Sequence, residues 1–115
     1  KKVRDLAVRK AFTERVKEGQ VLIVDGLSLE KPATAELAKT LNALGVDPAK
    51  SAKTQYSSAV LVTGEADRNV ALSARNIQRV RSTTSDSLNT YEILWPDVLV
   101  FTKDGYEKFE LRLSK

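Results

Sequence analysis

A three-layer α/β/α domain with a roughly four-stranded, mainly parallel sheet is the fold this sequence predicts. Three observations carry that expectation. Short, continuous, β-branched apolar runs recur at Gln20–Asp25 (QVLIVD), Ala59–Thr63 (AVLVT) and Asp97–Thr102 (DVLVFT), the pattern of strands covered on both faces. Stretches with helical spacing separate them, and strands alternating with helices imply right-handed crossovers. A length of 115 residues allows one core of ordinary size, and no repeat, low-complexity tract or linker divides it, so residues 1–115 read as a single domain.

The first element reads as a helix from about Lys2 to Glu18, stopped by Gly19, with Val3, Ala7, Val8, Ala11, Phe12 and Val16 over a broad apolar face. At about 100° per residue, Lys2, Arg9, Lys10 and Lys17 form a basic stripe on the opposite side, with Leu6 and Thr13 among them. The QVLIVD strand follows, Gly26 turns the chain, and Ser28 to Pro32 connects to a helix over Ala33–Leu44. There Leu37, Leu41 and Leu44 share a face and Gly45 closes it. Val46–Ser58 reads as a polar loop carrying Lys50 and Lys53.

After the strand Ala59–Thr63, Gly64-Glu65-Ala66-Asp67 leads into a short helix ending near Asn76, a residue suited to a left-handed cap. A weakly alternating segment places a third strand near Arg79–Ser82. Ser87–Leu94 reads as a short helix capped by Asp86 or Ser87 and ended by Trp95-Pro96. The fourth strand is Asp97–Thr102, and a last helix over Lys103–Leu113 sets Tyr106, Phe109 and Leu113 on one face.

Composition removes several function classes. With neither cysteine nor histidine, disulfides, thiolate and imidazole metal sites, and every Cys-His or Ser-His catalytic arrangement are excluded. No apolar run approaches the ~20 residues of a membrane span, so no membrane partner is expected. The sequence holds no methionine and so reads as the C-terminal part of a longer chain; Lys1-Lys2-Val3-Arg4 is not followed by a secretory apolar region. Charge is uneven: the first twenty residues carry seven basic groups against three acidic ones. Twelve of each remain elsewhere, so the net +4 sits in the opening helix. Such a stripe suits a phosphate backbone, because cations on flexible stems neutralise phosphates and release counterions. An ordinary solvated face is the competing reading.

In open α/β sheets ligands sit beyond the carboxyl ends of the strands, here Asp25-Gly26, Thr63-Gly64-Glu65, Arg81 to Thr84 and Thr102-Lys103. VLIVD and Lys103 superficially suggest a phosphoacceptor site, but the clustered carboxylates that would hold Mg²⁺ are missing. The glycines are isolated and form no phosphate cradle. Asp25 reads as a strand-end or capping residue, and Glu65 and Asp67 as favouring the positive end of the short helix. No enzyme, cofactor, metal or small-molecule substrate is expected.

Three stretches, VDGLSLEKPATAELAKTL, VLVTGEADRNVALSARN and SLNTYEILWPDVLVFTKDGYEKFELRL, taken in order, resemble the C-terminal globular part of bacterial-type large-ribosomal-subunit protein four. The most specific pieces are Asp25 to Leu29, Leu72 to Asn76, Leu88 to Leu94 and Leu99 to Lys103. The resemblance implies a primary binder of large-subunit ribosomal RNA in early subunit assembly, beside neighbouring ribosomal proteins, on a cytoplasmic or organellar ribosome. In some family members it also implies repression of their own operon through its leader RNA. The family's long basic loop, which lines the peptide exit tunnel, would lie upstream of Lys1, so no tunnel role is carried to these residues. The chain departs from the family pattern at Gly26, where a second acidic residue is common, and at Trp95-Pro96, where a more polar turn is usual.

Carried over residue by residue, the RNA-binding face is Lys1, Lys2, Arg4, Arg9, Lys10 and Lys17 on the first helix, with Arg75 and Asn76 at the end of the short helix. The alternative for Arg75 is a surface ion pair with Glu65 or Asp67. Tyr91 and Trp95 read as core or edge packing rather than as base-stacking platforms. The alternative function is a protein-interaction module without RNA contact, docking through the last two helices.

Overall fold

Every residue of β2 (Ala59–Thr63) and β4 (Val98–Thr102) is buried, which marks them as the central strands of the sheet. The computed structural model describes residues 2–26, 33–46 and 56–114, with side chains described from residue 6 onward. The other elements are α1 (Lys2–Lys17), β1 (Val21–Val24), α2 (Thr34–Ala43), α3 (Arg68–Arg75), β3 (Val80–Thr84), α4 (Thr90–Leu94) and α5 (Lys103–Leu113). The four strands are all parallel in the order β1-β4-β2-β3. Register is fixed by Val21 opposite Leu99, Ala59 opposite Val98 and Ala59 opposite Val80.

The period of two along each strand sorts the core into two halves. Ala59, Leu61, Val98 and Val100 point to one face, against Leu37 and Leu41 of α2 and Val70 and Ala74 of α3. Val60, Val62, Leu99 and Phe101 point to the other, against Val8 and Phe12 of α1, Ile93 of α4 and Phe109 of α5. The expected three-layer α/β/α arrangement is what forms. On the second face Phe12 meets Phe101 and Phe109 edge-on, with ring centroids 5.6 and 4.9 Å apart, the geometry that ring quadrupoles favour.

Local chemistry sets the boundaries. Gly19 and Gly45, the expected helix stops, take φ of +72° and +93°, a region open to glycine at little cost. The Thr102 hydroxyl accepts the Gly105 N–H at 3.0 Å and so caps α5 as β4 ends. Gly105 is also where α5 crosses the sheet: a Cβ there would stand 2.6 Å from the Val62 carbonyl oxygen.

Several expectations are corrected. QVLIVD does not form a doubly covered strand: β1 is an edge strand, half-buried, with Ile23 51% exposed. The third strand runs to Thr84, two residues beyond its expected end. The short helix near residue 90 is capped by Asn89, not Asp86 or Ser87. The Asn89 side chain accepts the Glu92 N–H at 2.9 Å and Glu92 accepts the Asn89 N–H at 3.2 Å. Leu88 is fully buried and its N–H bonds to the Thr84 carbonyl, so Ser87 and Leu88 belong to the turn that delivers that side chain to the core. Asn76 caps α3 with φ −86°, not left-handed; the left-handed non-glycine residue is Arg79, at φ 63°. Within the expected polar loop Val46–Ser58, Val46 and Tyr56 are buried and paired as a parallel bridge, while Lys50 and Lys53 lie outside the described residues.

Candidate nucleic-acid interface

Every described side chain of the expected basic face on α1 is exposed, though one of them is already engaged within the fold. Lys1 lies outside the described residues, as do the side chains of Lys2 and Arg4. Lys10 and Lys17, seven residues apart and so on one side of the helix, are exposed, with Glu14 beside them and Leu6 61% exposed. Arg9 is also exposed, but its guanidinium is engaged, donating to the Leu113 carbonyl at the end of α5. Arg15 is spent in the same way. Its Nε donates to the Ile93 carbonyl at 3.0 Å, and its two terminal nitrogens donate to the Leu94 carbonyl and to Gln20. Two of the seven basic residues that made the opening helix look like the charge reservoir are therefore structural. The apolar face is narrower than expected, since Ala7 is exposed and Val16 is 50% exposed.

A second cationic surface, not anticipated from the sequence, lies at the open edge of β3. Arg75 from the end of α3, Arg79 from the turn and Arg81 from β3 converge on a concave basin of about 580 Å³. Its far wall is Tyr91 and Trp95, from α4 and its cap. None of the ten lining residues is acidic. Tyr91 is 72% exposed, which overturns its expected place in core or edge packing. Trp95 does pack on the core, and its indole N–H is buried without an acceptor among the described residues.

The ion pair weighed for Arg75 does not form. Glu65 pairs instead with Lys108 at 3.2 Å, and Asp67 accepts the Val70 N–H at 3.2 Å as the cap of α3. Asn76 serves the fold, its amide donating to the Thr34 hydroxyl at 3.4 Å. Three residues earlier, the buried Ser73 hydroxyl takes the Ala33 N–H at 2.7 Å and donates to the Asn69 carbonyl at 2.7 Å. The Ser-Ala-Arg-Asn segment thus docks α3 onto α2 and leaves only Arg75 for the basin. A signal for the basin was present in the sequence: residues 68–85 hold four arginines and no acidic residue. Summing charge over residues 21–115 cancels it.

The carboxyl ends of the strands have the opposite character. Asp25, Glu65, Asp67 and Asp104 surround the hollow beside Gly64, and the N-termini of α3 and α5 are filled by their own caps, Asp67 and Thr102. That end repels an anion rather than cradling one. No group of three or more acidic side chains among the described residues is close enough to hold a metal ion, and none of their helices is long and apolar enough to cross a membrane.

The class defined by this architecture is a three-layer α/β/α domain with cations gathered on one helix face and one strand edge, away from the end where such sheets place catalytic sites. Within that class, the chain belongs to the ribosomal protein L4/L1 family, whose model matches residues 1–112. Over 110 residues, 96% of its length, the chain is 39% identical to the large ribosomal subunit protein uL4 of Moorella thermoacetica. It is 41% identical over the same length to the protein of that name from Symbiobacterium thermophilum and 40% identical to that from Pelotomaculum thermopropionicum. The chain spans about half the length of these curated relatives, 49%, 49% and 48% respectively.

Proposed function

We propose that the chain is a structural part of the large ribosomal subunit that binds ribosomal RNA and supports its assembly, without catalysis. The observation that carries this reading is the convergence of Arg75, Arg79 and Arg81 on one concave surface with no acidic residue in its lining. The three guanidinium groups, offset only by the attraction between Arg79 and Asp97 outside the lining, present a positive field that favours a polyanion, and arginine's planar fork fits phosphate oxygens bidentately. Lys10 and Lys17 extend the positive surface along α1 as flexible point charges. α4 joins the two areas, since Arg15 of α1 holds its end while Tyr91 stands in the basin. Lys2 and Arg4 belong to the same proposed footprint by their place at the start of α1, and Lys1 by its place before them in the sequence.

The family and the names of the relatives support the ribosomal setting, and with it neighbouring ribosomal proteins and a bacterial-type cytoplasmic or organellar ribosome. The test is binding to large-subunit ribosomal RNA fragments across a salt series. Affinity should fall steeply with salt, and its slope should drop by about 1 for each phosphate-contacting cation removed. Salt-insensitive binding to a protein partner, with no RNA binding at low salt, would replace this reading with the protein-interaction module.

A further inference from the structure

We infer that the basin at the β3 edge seats an unpaired RNA nucleotide, its base stacked on the Tyr91 ring and its flanking phosphates held by Arg75, Arg79 and Arg81. The inference rests on the RNA-binding reading above and adds which RNA is bound and where. The position of the Tyr91 ring carries it. An aromatic side chain 72% exposed in the first turns of a helix contributes little to the core, yet its mount is firm. The reciprocal Asn89–Glu92 bonds fix the start of α4, and Arg15 fixes its last carbonyls.

A base inside a duplex already has neighbours on both faces and cannot offer one to a protein ring, whereas an unpaired base can be splayed out and stacked. The basin's volume, about 580 Å³, lies within the roughly 300–1,000 Å³ of small-ligand sites, a scale that suits one or two nucleotides rather than a helix backbone. The arginines alone would also suit an acidic peptide. The exposed ring decides for RNA, because a carboxylate chain has no flat face to lay on it.

Trp95 is the chain's only tryptophan and lies in the basin wall, so its fluorescence reports occupancy directly. The experiment titrates the 115-residue chain with a short single-stranded RNA, with the same sequence as a duplex, and with a poly-glutamate peptide. The single strand should bind more tightly than the duplex and change Trp95 emission. Tyr91→Ala should weaken the single strand by about 5- to 150-fold, the span of one base–aromatic stack, and Tyr91→Phe should restore it. Lys10→Gln with Lys17→Gln should weaken both RNAs while the Trp95 response to the single strand survives. RNA binding that ignores strandedness and Tyr91→Ala and leaves Trp95 silent overturns the inference alone. Poly-glutamate that matches the single strand in affinity and Trp95 response overturns the choice of RNA. Absence of all RNA binding overturns this inference and the ribosomal-RNA reading together.

Discussion

Arg15 Nε donates to the Ile93 carbonyl at 3.0 Å, joining two residues 78 positions apart and setting a side chain of the first helix on the end of the fourth. α4 is five residues long, too short to persist by its own hydrogen bonds, so its form depends on what holds its ends. The Asn89 capping box holds one end; Arg15 holds the other by satisfying carbonyls that a helix terminus leaves open. Replacing Arg15 by Met should lower stability by about 1.5–3 kcal/mol, the range for hydrogen bonds from a charged donor, read from the urea midpoint. Lys should rescue little, because a single ammonium cannot reproduce the fork that spans Ile93, Leu94 and Gln20. RNA affinity at the basin should fall with it, since Tyr91 loses its mount.

Asp97 gives the fold a defined acid limit. Its carboxylate accepts the Ser57 N–H at 2.9 Å and the Ser57 hydroxyl at 2.8 Å, while its own N–H donates to Ser58, tying the start of β4 to the start of β2. The backbone hydrogen bond from Ser57 is the main cause holding its pKa below the ordinary 3.8; burial opposes the shift, and the Ser57 hydroxyl, Arg79 and Arg15 reinforce it. A carboxyl with a lowered folded-state pKa contributes stability that is present above the unfolded-state value and lost as pH falls through the folded-state one. Urea titrations should therefore show Asp97→Asn less stable than the parent at about pH 6. The gap should close as pH drops below the carboxylate range near about 4. A gap constant with pH would show that the charge of Asp97 plays no part.

Gly105 is fixed by contact rather than by φ. An added methyl would stand 2.6 Å from the Val62 carbonyl oxygen and 3.0 Å from the Thr102 hydroxyl that caps α5. Neither atom can retreat without moving β2 or breaking the cap. Gly105→Ala should destabilise by about 1–3 kcal/mol, the usual cost of overpacking, despite alanine's better helix propensity. Equilibrium denaturation measures it, and an unchanged midpoint would refute the close approach.

Arg79 separates stability from binding. It is left-handed at φ 63°, and its carbonyl accepts the Ala59 N–H at 3.1 Å, so the conformation serves the start of the β2–β3 ladder. Arg79→Gly removes the backbone strain and raises the entropy of the unfolded chain, two effects of about 1 kcal/mol that oppose each other. Stability should stay within about 1 kcal/mol of the parent while the RNA salt slope drops by about 1. Arg79→Val should fold poorly, because a β-branched side chain resists that φ.

The α1 surface and the basin should respond to charge removal by different amounts. Lys10→Gln and Lys17→Gln remove mobile cations with Glu14 beside them; Arg75→Gln and Arg81→Gln remove cations from an acid-free surface. Each pair should reduce the salt slope, and the basin pair should cost more affinity. Electrophoretic mobility shifts at two salt concentrations compare them, and a larger loss from the lysine pair would return the main footprint to α1.

The central strands were legible because β2 and β4 are apolar at nearly every position, the usual pattern of strands covered on both faces. β1 carries the same pattern and is an edge: strand order is decided by which neighbour slides in beside it, here β4, and no local run encodes that. The cap of α4 was misplaced because Asp86, Ser87 and Asn89 are all competent caps, and the burial of Leu88 chose among them. Arg9, Lys10 and Lys17 all lie at the surface as expected, but the sequence could not show that the guanidinium groups of Arg9 and Arg15 are engaged within the fold, since their acceptors are carbonyls far along the chain. The basin was missed for a similar reason. Arg75 and Arg81 come from a helix and a strand, and Tyr91 closes the site only once α4 has folded back.

The strand order β1-β4-β2-β3 also sets a timetable for the chain as it is made. β2 and β3, separated by one short helix, can pair early. β1, synthesised first, has among the described strands no ladder partner except β4, and Val21 must wait for Leu99. Closing that separation is a long-range step of the kind that slows folding. Until residues 98–102 have emerged, the growing chain carries an apolar VLIV segment with both edges open, a hazard of self-association borne by every nascent copy.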